Sequence, residues 1–307
     1  MKAIIVHGGA GRVVKNIEET RKGIQIALFN GYKLLTSKND AVMAVVEAVK
    51  TMEDNPIFNC GTGSTLNILG EAEMDASLMF ISHIGEEPKF GAVAVIKSVK
   101  NPILIAQKIL EETDHLLLAG EGALRFARKL GFEPYNPVTE ERLKQLEEYK
   151  QKGDFGYFSK LSNYLRWETV GAVAIDDKGG IAVATSTGGI LGKLPGRVGD
   201  TAIIGGGTYV SSFGGASATG HGEGIMKLLL TEYATNLMSG YPATYPFLGE
   251  HAPAFHGVYN PDLRWNTPLV AYFLPRLFHF HDSIGFQFCR RWVEGCLGSQ
   301  TQILNPT

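Results

Sequence analysis

Cysteine is scarce: Cys60, Cys289 and Cys296 are the only three in 307 residues. An odd number with no close pair excludes a disulfide framework, and Cys60 reads as a small buried hydrophobe. Excess charge is lacking too. Lys plus Arg number 29 against 31 Asp plus Glu, a formal balance of -2 that supplies no broad basic face for nucleic acid or an anionic membrane. At the N-terminus, Met1 to Val6 runs straight into Ile4-Ile5-Val6 with Lys2 as its one basic residue, too short for a signal-peptide core or a membrane span. What survives these exclusions is a soluble globular chain expected in the cytoplasm, acting on a small molecule rather than on nucleic acid or membrane.

With 44% hydrophobic and 20% charged residues the chain can bury a large core, and its length allows one large domain or two smaller ones. Strand-like and helix-like segments alternate. Lys2 to Val6 predicts a buried strand followed by the glycine turn His7-Gly8-Gly9-Ala10-Gly11. Ile17, Ile24, Ala27, Leu28, Leu34 and Leu35 recur at helical spacing, and Asp40 to Met52 repeats it with Val42, Val45, Val46 and Val49. Phe90 to Ile96 has strand length, Pro102 to Glu112 opens as a helix with proline first, and His115 to Leu130 predicts a further helix. Thr139 to Lys152, rich in Glu, Lys and Gln, is either a solvated helix or a flexible connector, and is taken as a linker running to about residue 168. Thr169 to Ile175, the turn Asp176-Asp177-Lys178-Gly179-Gly180 and Ile181 to Ala184 form a strong β-hairpin signal.

Thr169 is the residue with the most chemistry in its setting. It heads Thr-Val-Gly-Ala-Val-Ala-Ile-Asp, where a polar stretch abruptly becomes an apolar strand. A hydroxyl at a strand mouth beside small residues suits a nucleophile, although threonine also commonly just begins a strand. Helices outside two apolar sheets would make a layered α/β sandwich with this hydroxyl at the central end of an inner strand.

Around that hairpin stand seven phrases in order: His7-Gly8-Gly9-Ala10-Gly11, Asn55 to Ser64, Glu73 to Met79, Thr169 to Ala174, Thr185-Ser186-Thr187-Gly188-Gly189, Gly196-Arg197-Val198-Gly199-Asp200, and Ala218-Thr219-Gly220-His221-Gly222-Glu223. From about Met1 to about Pro242 the chain resembles the plant-type asparaginase and isoaspartyl peptidase family of N-terminal-nucleophile hydrolases. The resemblance implies a four-layer αββα fold, made as a precursor that cuts its own chain at Glu168-Thr169, so that residues 1–168 and 169–242 become the two portions of the enzyme. A threonine at a new N-terminus carries hydroxyl and α-amine on one residue, and the amine can act as base without a His-Asp relay. The family's glycine before the threonine is here Glu168, which slows the expected cleavage.

The same resemblance implies roles for other residues. Thr187 would be a second catalytic threonine that orients or polarises Thr169. Thr219 and Gly220 would form the oxyanion hole, with Gly222 beside the ligand. Asn59 would help position the nucleophile. Arg197 and Asp200 would grip an amino acid's carboxylate and ammonium, by a guanidinium fork and a charged acceptor. The implied activity is hydrolysis of L-asparagine and of β-aspartyl dipeptides through an acyl-enzyme. A glycosylasparaginase-like amidase and an uncleaved amino-acid binder are the alternatives. No organic cofactor is implied, but the backbone carbonyls of Glu53, Asp54, Asn55, Phe58, Cys60 and Thr62 match the segment that holds a structural sodium ion. The family form is a homodimer of cleaved units.

Other signals carry less. His7-Gly8-Gly9-Ala10-Gly11 lacks the third glycine of a dinucleotide fingerprint, Val14 standing in its place, and Gly189 to Leu194 lacks the Ser or Thr of a phosphate loop. After about Pro242 the pattern leaves the family: no lysine follows Lys227, and prolines and aromatics crowd residues 243–307. A shifted reading frame or replaced terminus fits so abrupt a change, and loss of the closing strands would leave a sheet edge open. A metal module from His251, His256, His279, His281, Cys289 and Cys296 matches no standard zinc spacing.

Overall fold

The computed structural model describes residues 2–10, 17–151, 169–238, 269–273 and 301–304. Strand β1 (Ala3–His7) leads to helices α1 (Ile17–Lys38) and α2 (Ala41–Glu53), then β2 (Met74–Ile81), β3 (Lys89–Ile96) and α3 (Pro102–Glu112). After them come β4 (Leu117–Ala119), α4 (Gly120–Lys129) and α5 (Glu140–Gln151), and the hairpin β5 (Val170–Ile175) and β6 (Ile181–Thr187). The chain continues through β7 (Thr208–Ser211), β8 (Gly214–Thr219), α6 (Gly222–Leu228), α7 (Leu230–Met238), β9 (Leu269–Phe273) and β10 (Thr301–Leu304).

These strands form a seven-stranded sheet, β10-β1-β5-β6-β2-β3-β4, and a three-stranded one, β7-β8-β9. Strand periodicity sorts their side chains. Val170, Ala172, Ala174, Ile4 and Val6 join the core with Ile24, Leu28 and Val45 of α1 and α2. Val173, Ile175, Ala3 and Ile5 turn the other way, into a second core with Val183, Met79 and Val210 between the sheets. Beyond the small sheet, Ala216 and Ala218 pack against Ile225 of α6 and Leu230 and Ala234 of α7. The result is the four-layer αββα sandwich, whose inner strands are buried on both faces and so read as continuous apolar runs. At the hairpin, Asp176 Oδ1 accepts the N–H of Lys178 and of Gly180 (both 2.9 Å), while Oδ2 accepts that of Ala41 (3.3 Å), fastening the turn to the start of α2.

The sequence reading needs correcting in places. Leu117–Ala119 is a strand parallel to Ala92–Ala94, so the helix expected over 115–130 begins only at Gly120. Pairing to an open sheet edge outweighs local helix propensity there. The first part of the supposed linker is α5 (Glu140–Gln151), whose Leu146 is buried with Leu66 and Ala72; Glu168 and the rest of 152–168 lie outside the described residues. Nor do the sheets end without help from the C-terminal stretch. β9 pairs with β8 and β10 with β1, each antiparallel, so residues 243–307 supply an edge strand to both. The six His and Cys weighed as a metal module lie outside the described residues.

Glu53 stands where α2, α3 and β6 meet. It is fully buried, its Oε1 accepts Ser186 Oγ (2.7 Å) and the Ile103 N–H at the start of α3 (3.0 Å), and its Oε2 has no hydrogen-bond partner. Burial pushes its carboxyl from 4.5 up to about 8, against smaller opposing hydrogen bonds from Ser186 and Ile103. The folded state therefore binds this proton more tightly than the unfolded chain does. The resulting stability is whole below pH 4.5 and is lost as the pH rises towards 8. In Glu53→Gln, urea unfolding should lose that decline over the same range, while keeping both bonds to the surviving acceptor oxygen.

Candidate active site

Thr169 immediately precedes β5, and the pairing of Val170 with Ser186 brings it level with Thr187. Its hydroxyl donates to Thr187 Oγ1 at 3.2 Å, and its backbone N–H donates to Thr219 Oγ1, also at 3.2 Å. Thr187 is the last residue of β6 in the large sheet and Thr219 the last of β8 in the small one. The two functional atoms of Thr169 thus meet the ends of strands from different layers, and all three threonines are buried. Hydroxyls, not aliphatic groups, are the immediate partners of the Thr169 hydroxyl and nitrogen.

The turn after β6 is tied to the glycine-rich loop. Asn59 Nδ2 donates to the Gly189 carbonyl (2.8 Å), its Oδ1 accepts the Thr65 N–H (2.7 Å), and its own carbonyl accepts the Gly188 N–H (2.8 Å). Gly189 N–H then donates to Thr187 Oγ1 at 3.0 Å. The hydrogen-bond partners of the Asn59 side chain are therefore in this turn and loop, and its link to Thr169 runs through Gly189 and Thr187. Any side chain at Gly188 would meet Asn59 Oδ1 and Thr65 N, so the close approach requires glycine.

Arg197 lies in the loop that follows. Its Nε and Nη2 make a bidentate fork with Glu223, both bonds at 2.9 Å. Asp200 does not take that fork. It is buried, its Oδ2 has no hydrogen-bond partner, and burial pushes its carboxyl up to about 7, with Arg197 opposing and Asp75 and Glu223 reinforcing. A Cβ on Gly222 would sit 2.8 Å from both Arg197 Nη2 and Asp200 Oδ1, so cation and acid converge on the bare backbone of that glycine. Gly220, with φ +145°, joins Thr219 to this stretch.

A family model described as asparaginase matches residues 1–243. The chain belongs to the asparaginase family. It is 49% identical over 249 residues to a plant-type L-asparaginase of Pyrococcus horikoshii, covering 78% of this chain and 80% of that protein. A plant-type L-asparaginase of Thermococcus kodakarensis is 50% identical over 250 residues, with the same coverage. An isoaspartyl peptidase/L-asparaginase of Xenopus laevis is 44% identical over 234 residues, 74% of this chain and 72% of that protein. The resemblance read from the ordered phrases is thereby shown, and the family match ends at residue 243, beside the limit near Pro242 read from the sequence.

Around the site of this asparaginase-family chain lie residues that sequence reasoning did not single out. Glu223 was quoted only as part of a phrase, yet it occupies the Arg197 fork. His7 was read as the first residue of a glycine turn. Its Nε2 lies 2.9 Å from Ser217 Oγ, which begins a chain of hydroxyls between the sheets: Ser217 to Thr185 (2.9 Å), Thr185 to Thr208 (2.7 Å), Thr208 to Ser77 (2.7 Å), and Ser77 to the Thr201 carbonyl (2.6 Å). Burial drives the imidazole down to about 4, against a smaller pull from the Thr169 backbone, so His7 is neutral at pH 7. Alternation of Ala with Ser and Thr along β8 (Ala216-Ser217-Ala218-Thr219) was the available signal, but on its own it marks only a polar strand face.

Gly171 is where this chain of hydroxyls passes closest to the nucleophile's strand: a Cβ there would overlap Ser217 Oγ and His7 Nε2. Gly171→Ala is expected to break the His7–Ser217 bond and to cost about 1–3 kcal/mol of stability in denaturant unfolding. A variant as stable as the wild type would show that the seam can relax.

Proposed function

We propose that the chain is an amidohydrolase that hydrolyses L-asparagine to aspartate and ammonia and cleaves β-aspartyl dipeptides, using Thr169 after self-cleavage of Glu168-Thr169. The observation that carries this reading is the double engagement of Thr169, hydroxyl on Thr187 and nitrogen on Thr219. The names of the relatives, L-asparaginase and isoaspartyl peptidase, support the substrate class. A glycosylasparaginase-like amidase would use the same nucleophile and is the nearest alternative.

In the intact chain the Thr169 nitrogen is an amide whose lone pair is delocalised into the carbonyl, so it cannot take a proton. Attack of Thr169 Oγ on the Glu168 carbonyl carbon forms an ester as the C–N bond breaks and the nitrogen gains a proton. Water then hydrolyses the ester, leaving a Glu168 carboxylate and a free Thr169 amine. That amine is the base for the next step, in which Thr169 Oγ attacks the side-chain amide of asparagine, ammonia departs, and water releases aspartate from the acyl-enzyme. Thr187 Oγ1, held by Gly189 N–H, orients the attacking oxygen. Thr219 Oγ1 and Gly220 N–H receive the oxyanion. Arg197 and Asp200 take the substrate's α-carboxylate and α-ammonium beside Gly222, so the substrate carboxylate must displace Glu223 from the guanidinium.

The remaining parts of the proposal are a cytoplasmic homodimer of cleaved units and a sodium ion on the loop of residues 53–62. Thr62 N–H returns to the Glu53 carbonyl (2.8 Å), Phe58 N–H to that of Asn55 (3.2 Å), and Gly61 takes φ +49°, so the loop is tied back on itself and each of those two carbonyls keeps a second lone pair that a hard cation could use. Among the described residues no helix is long and apolar enough to cross a membrane, which suits a small polar substrate.

Two tests follow. After incubation, denaturing electrophoresis should resolve fragments of 168 and 139 residues from 307, with Thr169→Ala intact and releasing no ammonia from asparagine. A wild-type chain that stays whole and inert would be a binder instead. Since Asp200 must be ionised to hold an ammonium, KM for asparagine should fall as the pH rises through about 7, and Asp200→Asn should lose both that dependence and most of the affinity.

A further inference from the structure

Glu73 and Asp75 carry a job that the reaction above leaves unassigned. Glu73 immediately precedes β2 and Asp75 is its second residue. Both are buried. Glu73 accepts the Gly196 N–H with both carboxylate oxygens (3.0 and 3.3 Å), and Asp75 Oδ2 accepts that of Gly199 at 3.3 Å. Those two glycines bracket Arg197 and Val198. A third tie comes from Lys193, whose Nζ donates to the Glu73 carbonyl at 2.6 Å.

The other Asp75 oxygen shows how firmly this clamp is built. It accepts the Val95 N–H at 2.8 Å, at a break in the β2/β3 register, where Val95 adopts φ +46°. A β-branched residue in that region is strained, and such strain persists only where the surroundings over-determine it. Gly196, at φ +82°, has open space where a Cβ would lie, so its glycine serves the turn's conformation and not its packing. The carboxylates also face buried positive charge. Burial pulls the Lys193 ammonium below its usual range, with Asp75 the strongest opposing influence, and Arg197 adds to the lowering.

We propose that Glu73 and Asp75 are positioning residues for substrate recognition: by holding the backbone N–H groups of Gly196 and Gly199, they aim the Arg197 guanidinium at the site of the substrate carboxylate. The proposal rests on the reading of Arg197 as the carboxylate anchor. Neither carboxylate is required to touch substrate, so their loss weakens ground-state and transition-state binding alike and leaves the reacting atoms alone.

The test compares cleavage, kcat and KM for asparagine in the full chain and its variants. Asp75→Asn keeps the shape but, with its oxygen on Val95, turns an amide donor towards the Gly199 N–H. Glu73→Leu removes the acceptor for Gly196, whereas Glu73→Gln retains one. Asp75→Asn and Glu73→Leu should raise KM about tenfold, with kcat within about twofold of wild type, and Glu73→Gln should recover most of the loss. Glu71→Gln, at a surface ion pair with Lys97, is the control and should leave KM unchanged. Arg197→Ala in the same series separates the two readings. If it raises KM while Asp75→Asn and Glu73→Leu do not, the positioning role is wrong and the anchor stands; if it leaves KM unchanged, both are wrong. A fall in kcat at constant KM also overturns the positioning role. Should a variant fail to mature, amide hydrogen exchange decides: Gly199 must lose protection in Asp75→Asn and Gly196 in Glu73→Leu, and unchanged protection rejects the clamp.

Discussion

The proposed self-cleavage gives the nitrogen of Thr169 two chemical roles, and the architecture around it suits both. As a peptide N–H it donates to Thr219 Oγ1; as a free amine it would offer a lone pair at the same place, next to a hydroxyl already resting on Thr187. Under the proposed self-cleavage no separate base would have to be carried in, because scission of one bond would create it. The constraint is geometric: three threonines from the start of β5 and the ends of β6 and β8 must converge, although β8 belongs to a different sheet. That is possible only if two sheets pack face to face at close range.

The packing that permits this approach is partly polar. Apolar contacts such as Val173 and Val183 fill one stretch between the sheets, while His7, Ser217, Thr185, Thr208 and Ser77 form a continuous hydrogen-bonded seam in another. Small residues keep the sheets near each other. A Cβ on Gly215 would press on Val183, Ile181 and Val173, as one on Gly171 would on the seam. A continuous buried hydrogen-bonded network specifies one register more strictly than interchangeable apolar contacts do, and a site assembled from two sheets depends on register. Glu73 and Asp75 likewise accept backbone N–H groups of the loop bearing Arg197.

Much of the fold could be read from the sequence where periodicity was strong. The apolar run of β5, the Asp-Asp-Lys-Gly-Gly turn and the proline-led α3 all appear where patterning put them. β4 could not be read, because its three residues owe their conformation to pairing with β3, a partner distant from them in local pattern. α5 was ambiguous since its polar surface hides the single inward Leu146 and the Arg142 stem. The aromatic, proline-rich C-terminal stretch gave no strand signal, yet it contributes β9 and β10 through backbone pairing. Within the site, ordered phrases located the threonines, Arg197 and Asp200. They did not disclose that Glu223 holds the guanidinium, or that Asn59 acts on the turn beyond Thr187, because such partnerships depend on which loops meet after folding.

The most direct measurement is the mass of the species trapped when enzyme turning over asparagine is quenched with acid. The account predicts one aspartyl group in ester linkage on a peptide whose first residue is Thr169. An adduct on any other side chain, or on Thr169 within an uncut chain, would contradict it.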